Sequence, residues 1–248
     1  MKQITGINRS YVLCSNPRSG STYFMHLLIS TKLLGRPYEW LRGDGGTAHT
    51  DYADYPTDDE KQLEYLLRDG CTANGVCALK MFPEHFDRRI KVLWAERLPS
   101  LQYVYLIRRD LLGQAISLSL ARQTDSYAYG MPERREPVYD REHILKCMDF
   151  IATGDARWRL FFAKNGISPL FITYEDLIKA PQEAVDRVAA LMGIAHAPID
   201  GSDFDITVQR NARSTQWRER FIQEYGDLAF LPKLACVPYE QALWDSSH

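Results

Sequence analysis

The sequence predicts an α/β fold of three layers with a central, mostly parallel sheet, and three observations predict it. Short apolar runs that read as strands alternate with longer stretches that read as helices. One run, Leu101-Gln102-Tyr103-Val104-Tyr105-Leu106-Ile107-Arg108, is apolar over most of its length, as a strand inside a parallel sheet must be. The series opens on a strand, a tight polar loop and an apolar helix, the arrangement that binds phosphate. The length of 248 residues fits one large domain, or one domain with an appended lobe, and with no linker in the sequence it reads as a single domain over 1–248.

Taken in order, Tyr11–Cys14 is a buried strand, and Ser15-Asn16-Pro17-Arg18-Ser19-Gly20-Ser21-Thr22 is the loop that leaves it. Tyr23–Ile29 is dense enough in apolar residues for a buried helix that ends near Gly35-Arg36-Pro37. Residues 41–59 are rich in Gly, Asp, Thr and Tyr and too long for an ordinary connection, so they read as a mobile or functional loop that, with 125–141, covers the site. Glu60–Arg68 places Leu63, Leu66 and Leu67 on one helical side, and Gly75–Met81 reads as a strand. Pro83–Arg97 reads as a helix. After the strong strand, Leu111–Arg122 reads as a helix and Asp125–Arg141 as a second polar loop. Glu142–Asn165 is a long helical region and Pro169–Tyr174 a further strand. Pro181–Met192 reads as a helix with proline in its first turn, and the tail holds Gln209–Trp217 and then a helix to Tyr225.

Composition narrows the function. Hydrophobic residues make up 45%, charged residues 25% and aromatic residues 12%, which excludes a wholly disordered or fibrous chain. Thirty Lys and Arg stand against 32 Asp and Glu, for a net charge of −2, which argues against a general nucleic-acid binder. No apolar run approaches the roughly 20 residues of a membrane helix. The five cysteines, Cys14, Cys71, Cys77, Cys147 and Cys236, are an odd, scattered set. They read as buried thiols in a cytoplasmic protein, not as a disulfide framework.

The loop Pro17–Thr22 stands where an anion site belongs, between a strand and the free N–H groups of a helix start. Gly20 lets the backbone approach a ligand, Ser19, Ser21 and Thr22 add hydroxyls, and Arg18 adds a fork of donors suited to phosphate or sulfate. The first glycine and the lysine of the nucleoside-triphosphatase loop are both missing. Arg108 and Arg109 end the strongest strand, and Ser117 lies on the next helix. Ligands gather at the carboxyl edge of such sheets, so two anion-binding groups suggest a ligand with two well-separated phosphates. The plainer alternative pairs the two arginines with Asp110 or Glu175.

Together these elements resemble the PAPS-dependent sulfotransferases, and most closely the bacterial trehalose 2-sulfotransferase family, the Stf-zero type. The matching stretches are Ser15–Thr22, Gly35–Trp40, Leu79–Met81, Arg108–Ser117 and Gln209–Phe221, in the expected order over nearly the whole chain. The resemblance implies a core related to nucleotide kinases and a donor that is 3'-phosphoadenosine-5'-phosphosulfate (PAPS), with no metal. It gives Arg18, Ser19, Gly20, Ser21 and Thr22 the 5'-phosphosulfate, and Arg108 and Ser117 the 3'-phosphate. Spacing to the serine in eukaryotic relatives would choose Arg109; Arg108 is preferred because Asp110 then matches the family's aspartate. Arg210 and Arg213 resemble the C-terminal segment that closes over the nucleotide. Tyr174-Glu175-Asp176-Leu177 resembles a motif of structural role.

The same resemblance makes Glu39 the general base that takes the acceptor's proton during in-line attack on sulfur. Arg18 stabilises the charge that grows on the leaving group. Lys80 either reaches the sulfonate or acceptor or pairs with Glu84. Trp40, Tyr52, Tyr55, Tyr127 and Tyr129 could stack on sugars while Asp44, Asp51 and Asp54 bind hydroxyls, which suits a carbohydrate or glycolipid acceptor. The family forms dimers. Two other classes compete: a small-molecule kinase with a degenerate phosphate loop, and a non-catalytic nucleotide-binding protein with a decayed site.

Overall fold

A computed structural model describes residues 6–43, 55–87, 92–127, 131–201 and 212–229. They divide between two compact units, Met1–Arg109 with Arg157–Thr207, and Asp110–Ala156 with Val208–His248. The first unit holds the sheet. Strands β1 (Arg9–Ser15), β2 (Val76–Met81), β3 (Leu101–Ile107) and β4 (Leu170–Thr173) lie in the order β2-β1-β3-β4. Every pairing is parallel: Leu13 faces Lys80 on one side and Val104 on the other, and Ile107 faces Thr173.

Side chains alternate across this sheet, and the alternation builds the layers. Tyr11, Leu13, Ala78, Val104 and Leu106 enter one core with Phe24 and Leu28 of α1 (Ser21–Ser30) and Val185 and Val188 of α7 (Pro181–Leu191). Val12, Cys14, Leu79, Met81 and Tyr105 enter the opposite core with Leu63 and Leu66 of α2 (Asp59–Asp69) and with Trp158 and Phe162. The last two lie on α5 (Arg141–Lys164), a helix with residues in both units. Trp158 stacks on Phe162 at 5.7 Å and donates its indole N–H to the Ser15 carbonyl at 3.0 Å.

The second unit has its own core. Ala115, Ile116 and Leu118 of α4 (Leu111–Thr124) pack with Ile144, Cys147 and Ile151 of α5 and with Trp217 and Phe221 of α8 (Ala212–Tyr225). Asp110 caps α4 by accepting the Gly113 N–H at 3.0 Å, and it also meets Arg218.

Most sequence-predicted elements form within a few residues of their expected bounds, and three differ. Pro83–Arg97 is not one helix: α3 covers Pro83–Asp87, Leu93 adopts φ −80°, ψ 59°, and a 3₁₀ turn covers Trp94–Arg97. A short helix α6 (Tyr174–Lys179) follows β4 directly. Its signal was in the sequence: the Thr173 hydroxyl accepts the Asp176 N–H at 3.1 Å and donates to the Asp176 carboxylate at 2.7 Å, a capping arrangement. The tail helix begins at Ala212, earlier than the sequence suggests.

The cysteine reading also needs correction for one pair. Cys71 and Cys77 form a disulfide, because a turn through Thr72–Gly75 folds them opposite each other across an antiparallel bridge. Cys14 and Cys147 are buried free thiols, and burial pushes both upward in pKa. No helix among the described residues is long and apolar enough to cross a membrane.

Replacing Trp158 by alanine should destabilise the protein by about 3–5 kcal/mol through the cavity it leaves. Phenylalanine there should cost about 1–3 kcal/mol, since the Ser15 carbonyl loses that donor. Urea denaturation of the two variants beside the parent measures both.

Candidate functional site

All four strands of the sheet are parallel, so the segments that leave their carboxyl ends share one edge. The loop after β1, Lys80 in β2, Arg108 after β3 and Tyr174 after β4 all belong to the first unit.

The β1–α1 loop turns through two left-handed residues, Arg18 at φ 62° and Gly20 at φ 87°. The turn lets α1 start at once at Ser21, with Gly20 as its N-cap, no side chain capping it and no acidic residue in its first turn. A helix start of this kind favours an anion. A β-carbon on Gly20 would lie 2.5 Å from the Tyr174 ring, so only glycine fits. The Ser19 hydroxyl is buried with no hydrogen-bond partner in the protein. Such a donor inside a phosphate-type loop suits an anionic ligand.

The Tyr174 ring that covers Gly20 also carries the Arg108 guanidinium, 4.9 Å from its centroid. Burial, and then the positive charge of Arg108, hold the Arg18 guanidinium below its ordinary pKa. Arg109 turns elsewhere: its backbone N–H donates to the Glu175 carboxylate at 3.1 Å, and its side chain reaches Glu175 and Asp176 at 3.5 Å each. The ion pairing that the sequence left open for both arginines is therefore seen for Arg109 with Glu175.

Glu39 comes to the edge of the sheet through backbone bonds. The Arg36 N–H donates to Gly70 and the Lys80 N–H donates to Tyr38, both at 2.9 Å, which ties 36–40 alongside β2. The Glu39 carboxylate is nearly buried, with the Lys80 ammonium 3.0 Å from Oε1 and His85 Nε2 3.6 Å from Oε2. Lys80 itself is 1% exposed. His26, one turn along α1 from Thr22, has its imidazole held below its ordinary pKa by burial and then by the charge of Lys80.

Trp40 does not offer a face to a sugar here. It is fully buried, its indole N–H donates to the Arg36 carbonyl at 2.7 Å, and the Tyr55 hydroxyl donates to its own carbonyl at 2.6 Å. Tyr55 is likewise core, whereas Tyr127, in the second unit, is exposed. Ser117 lies half-buried on α4 in the second unit. Arg213, in the same unit, reaches Glu133 at 3.0 Å and Glu136 at 3.2 Å. Arg210, Asp44, Asp51, Tyr52, Asp54 and Tyr129 lie outside the described residues, as do residues 44–54 and 128–130 of the two polar loops.

Sequence reasoning missed three contributors: Tyr174, His85 and His26. The first was assigned a structural role, and the two histidines carry no local motif. Among the described residues, no group of three or more His, Cys, Asp or Glu could hold a metal ion.

Residues 10–224 match the sequence profile of the Stf0 sulphotransferases. A relative named trehalose 2-sulfotransferase, from Mycobacterium tuberculosis, is 25% identical over an alignment of 261 positions that covers 87% of this chain and 95% of that enzyme. Among solved structures, a sulfotransferase from Alicyclobacillus acidocaldarius is similar in fold, with a TM-score of 0.50 and 13% identity, covering 88% of this chain and 92% of that one.

Gly20→Ala should lower stability by at least about 1–2 kcal/mol from its left-handed backbone alone, before the collision with Tyr174. A thermal melt checks this. Pairing the change with Tyr174→Ala should recover part of the loss, because only the collision is relieved.

Proposed function

Because the chain belongs to the Stf0 sulphotransferase family, it is an enzyme of sulfonate transfer, and we propose that it takes the sulfonate from PAPS and places it on a hydroxyl of a carbohydrate or glycolipid. The observation that carries the donor is the meeting of Arg18 and Arg108. Arg18 in the loop and Arg108 over the Tyr174 ring that closes on Gly20, beside a helix start and a buried unpartnered serine hydroxyl, suit a ligand with more than one anionic group. A simple structural turn would need neither cation.

In this reading Arg18, Ser19, Gly20, Ser21 and Thr22 hold the 5'-phosphosulfate and Arg108 the 3'-phosphate. Tyr174 supports Arg108 by carrying its guanidinium plane. For Ser117, Arg210 and Arg213 the support is the resemblance of their motifs alone. The carbohydrate acceptor rests on the name of the mycobacterial relative, since Trp40 and Tyr55 serve the core.

The chemistry assigned to the residues is economical. The acceptor oxygen forms a bond to sulfur as the bond from sulfur to the phosphate oxygen breaks. The acceptor's proton passes to the Glu39 carboxylate, and the electron pair of the broken bond stays on the phosphate. Arg18 and the loop N–H groups meet that growing charge. The Lys80 ammonium, 3.0 Å from Oε1, holds the Glu39 carboxylate in place. Lys80 also offers positive charge to the sulfonate as it transfers.

Calorimetric titration with 3'-phosphoadenosine-5'-phosphate (PAP), with 5'-AMP and ATP as controls, tests the donor. Micromolar or tighter binding that depends on the 3'-phosphate supports the reading. A preference for ATP with magnesium would favour a kinase, and no binding would leave a decayed site. Arg108→Ala should weaken PAP binding by about 10- to 100-fold, the range of a lost charged hydrogen bond of ~1.5–3 kcal/mol. Glu39→Gln should lower kcat by about 10²- to 10⁴-fold and leave PAP affinity unchanged. Wild-type turnover in that variant would remove Glu39 as the base.

A further inference from the structure

We propose that His85 is a positioning residue for sulfonate transfer, holding one oxygen of the Glu39 carboxylate while Lys80 holds the other. The proposal rests on Glu39 being the base. Each Glu39 oxygen faces a different buried nitrogen, Oε1 the Lys80 ammonium at 3.0 Å and Oε2 the His85 Nε2 at 3.6 Å. The second separation is longer than a full hydrogen bond, as catalytic contacts often are before substrate binds. All three side chains are buried, so neither contact is the loose pairing of a solvated surface.

The ring's tautomer follows from its other nitrogen. The Phe82 backbone N–H donates to His85 Nδ1 at 3.2 Å. A peptide N–H can only donate, so Nδ1 carries its lone pair and the proton of the neutral ring sits on Nε2. Nε2–H then points a donor at Glu39 Oε2. The ring cannot relay the proton that Glu39 receives, because its free lone pair is already engaged. Its work is to fix the carboxylate.

Local structure fixes His85 in turn. Pro83 opens α3, the His85 N–H donates to the Phe82 carbonyl at 3.0 Å, and the imidazole lies 5.4 Å from the Phe82 ring. Lys80 and His85 therefore reach Glu39 from β2 and from the helix that follows it, as one unit of chain.

Initial rates with labelled PAPS and trehalose would be measured for His85→Ala, His85→Gln, Glu39→Gln and the double variant Glu39→Gln/His85→Ala, beside their melting temperatures and PAP affinities. The glutamine amide can place a donor near the position of Nε2. His85→Ala should lower kcat by about 10- to 100-fold with the KM for donor within about twofold, a loss typical of removing a supporting partner. His85→Gln should recover most of it. In the Glu39→Gln background His85→Ala should add less than about twofold. An unaffected His85→Ala beside an impaired Glu39→Gln would overturn this proposal alone. So would a folded His85→Gln no faster than His85→Ala, or additive losses in the double variant. Full turnover in Glu39→Gln would overturn the base assignment and this proposal with it. One measurement needs no acceptor: nitrogen–proton NMR of the imidazole absent from His85→Gln should show the Nε2–H tautomer, shifted by Glu39→Gln. The Nδ1–H tautomer, or a signal indifferent to Glu39, would overturn the proposal.

Discussion

Parallel pairing of β1 on both of its sides is the constraint from which the site follows. A strand with parallel neighbours cannot be joined to them by hairpins, so the chain must cross over and return each time. Each return delivers a carboxyl end to the same edge. The phosphate-type loop after β1, Lys80 in β2, Arg108 after β3 and Tyr174 after β4 are gathered by this rule and not by closeness in sequence. Among the described residues, helices pack on both faces of the sheet, which leaves the segments at its carboxyl edge nearest to solvent.

Charge is arranged against the grain of stability at that edge. Arg18 and Arg108, both half-buried, carry like charge there, and burial followed by the Arg108 charge holds the Arg18 guanidinium below its ordinary pKa. Tyr174 offsets part of this cost with the negative face of its ring under Arg108, while its edge closes on Gly20. Glu39 and Lys80 show the opposite case, a buried ion pair whose desolvation is offset only by close geometry and further donors. A third polar group on the second carboxylate oxygen, His85, is what such a pair needs.

Much of this was legible in the residues. The strand Leu101–Ile107 announces itself by its apolar run, and the loop Pro17–Thr22 by glycine, hydroxyls and an arginine between a strand and a helix. Glu39 needed the family resemblance, since a lone carboxylate in a loop has no periodic or spacing signal. Trp40 misled for a physical reason. An indole beside a candidate base looks like a sugar platform, yet its N–H finds the Arg36 carbonyl four residues back and the ring sinks into the core. The failed helix from Pro83 to Arg97 shows the limit of apolar spacing, because Leu93 leaves helical backbone angles however suitable its side chain. Cys71 and Cys77 were unreadable as a pair because a turn, not spacing, brings them opposite each other.

The histidines explain why a site can exceed its motifs. His85 meets Glu39 only because the Lys80 N–H binds Tyr38 and carries the whole 36–40 segment alongside β2. His26 feels Lys80 from α1, the helix that starts without delay from a left-handed turn. In both cases a backbone constraint converts separate stretches of sequence into one electrostatic neighbourhood. The Glu39 carboxylate meets Lys80 at one oxygen and His85 at the other because those backbone bonds hold 36–40 alongside β2.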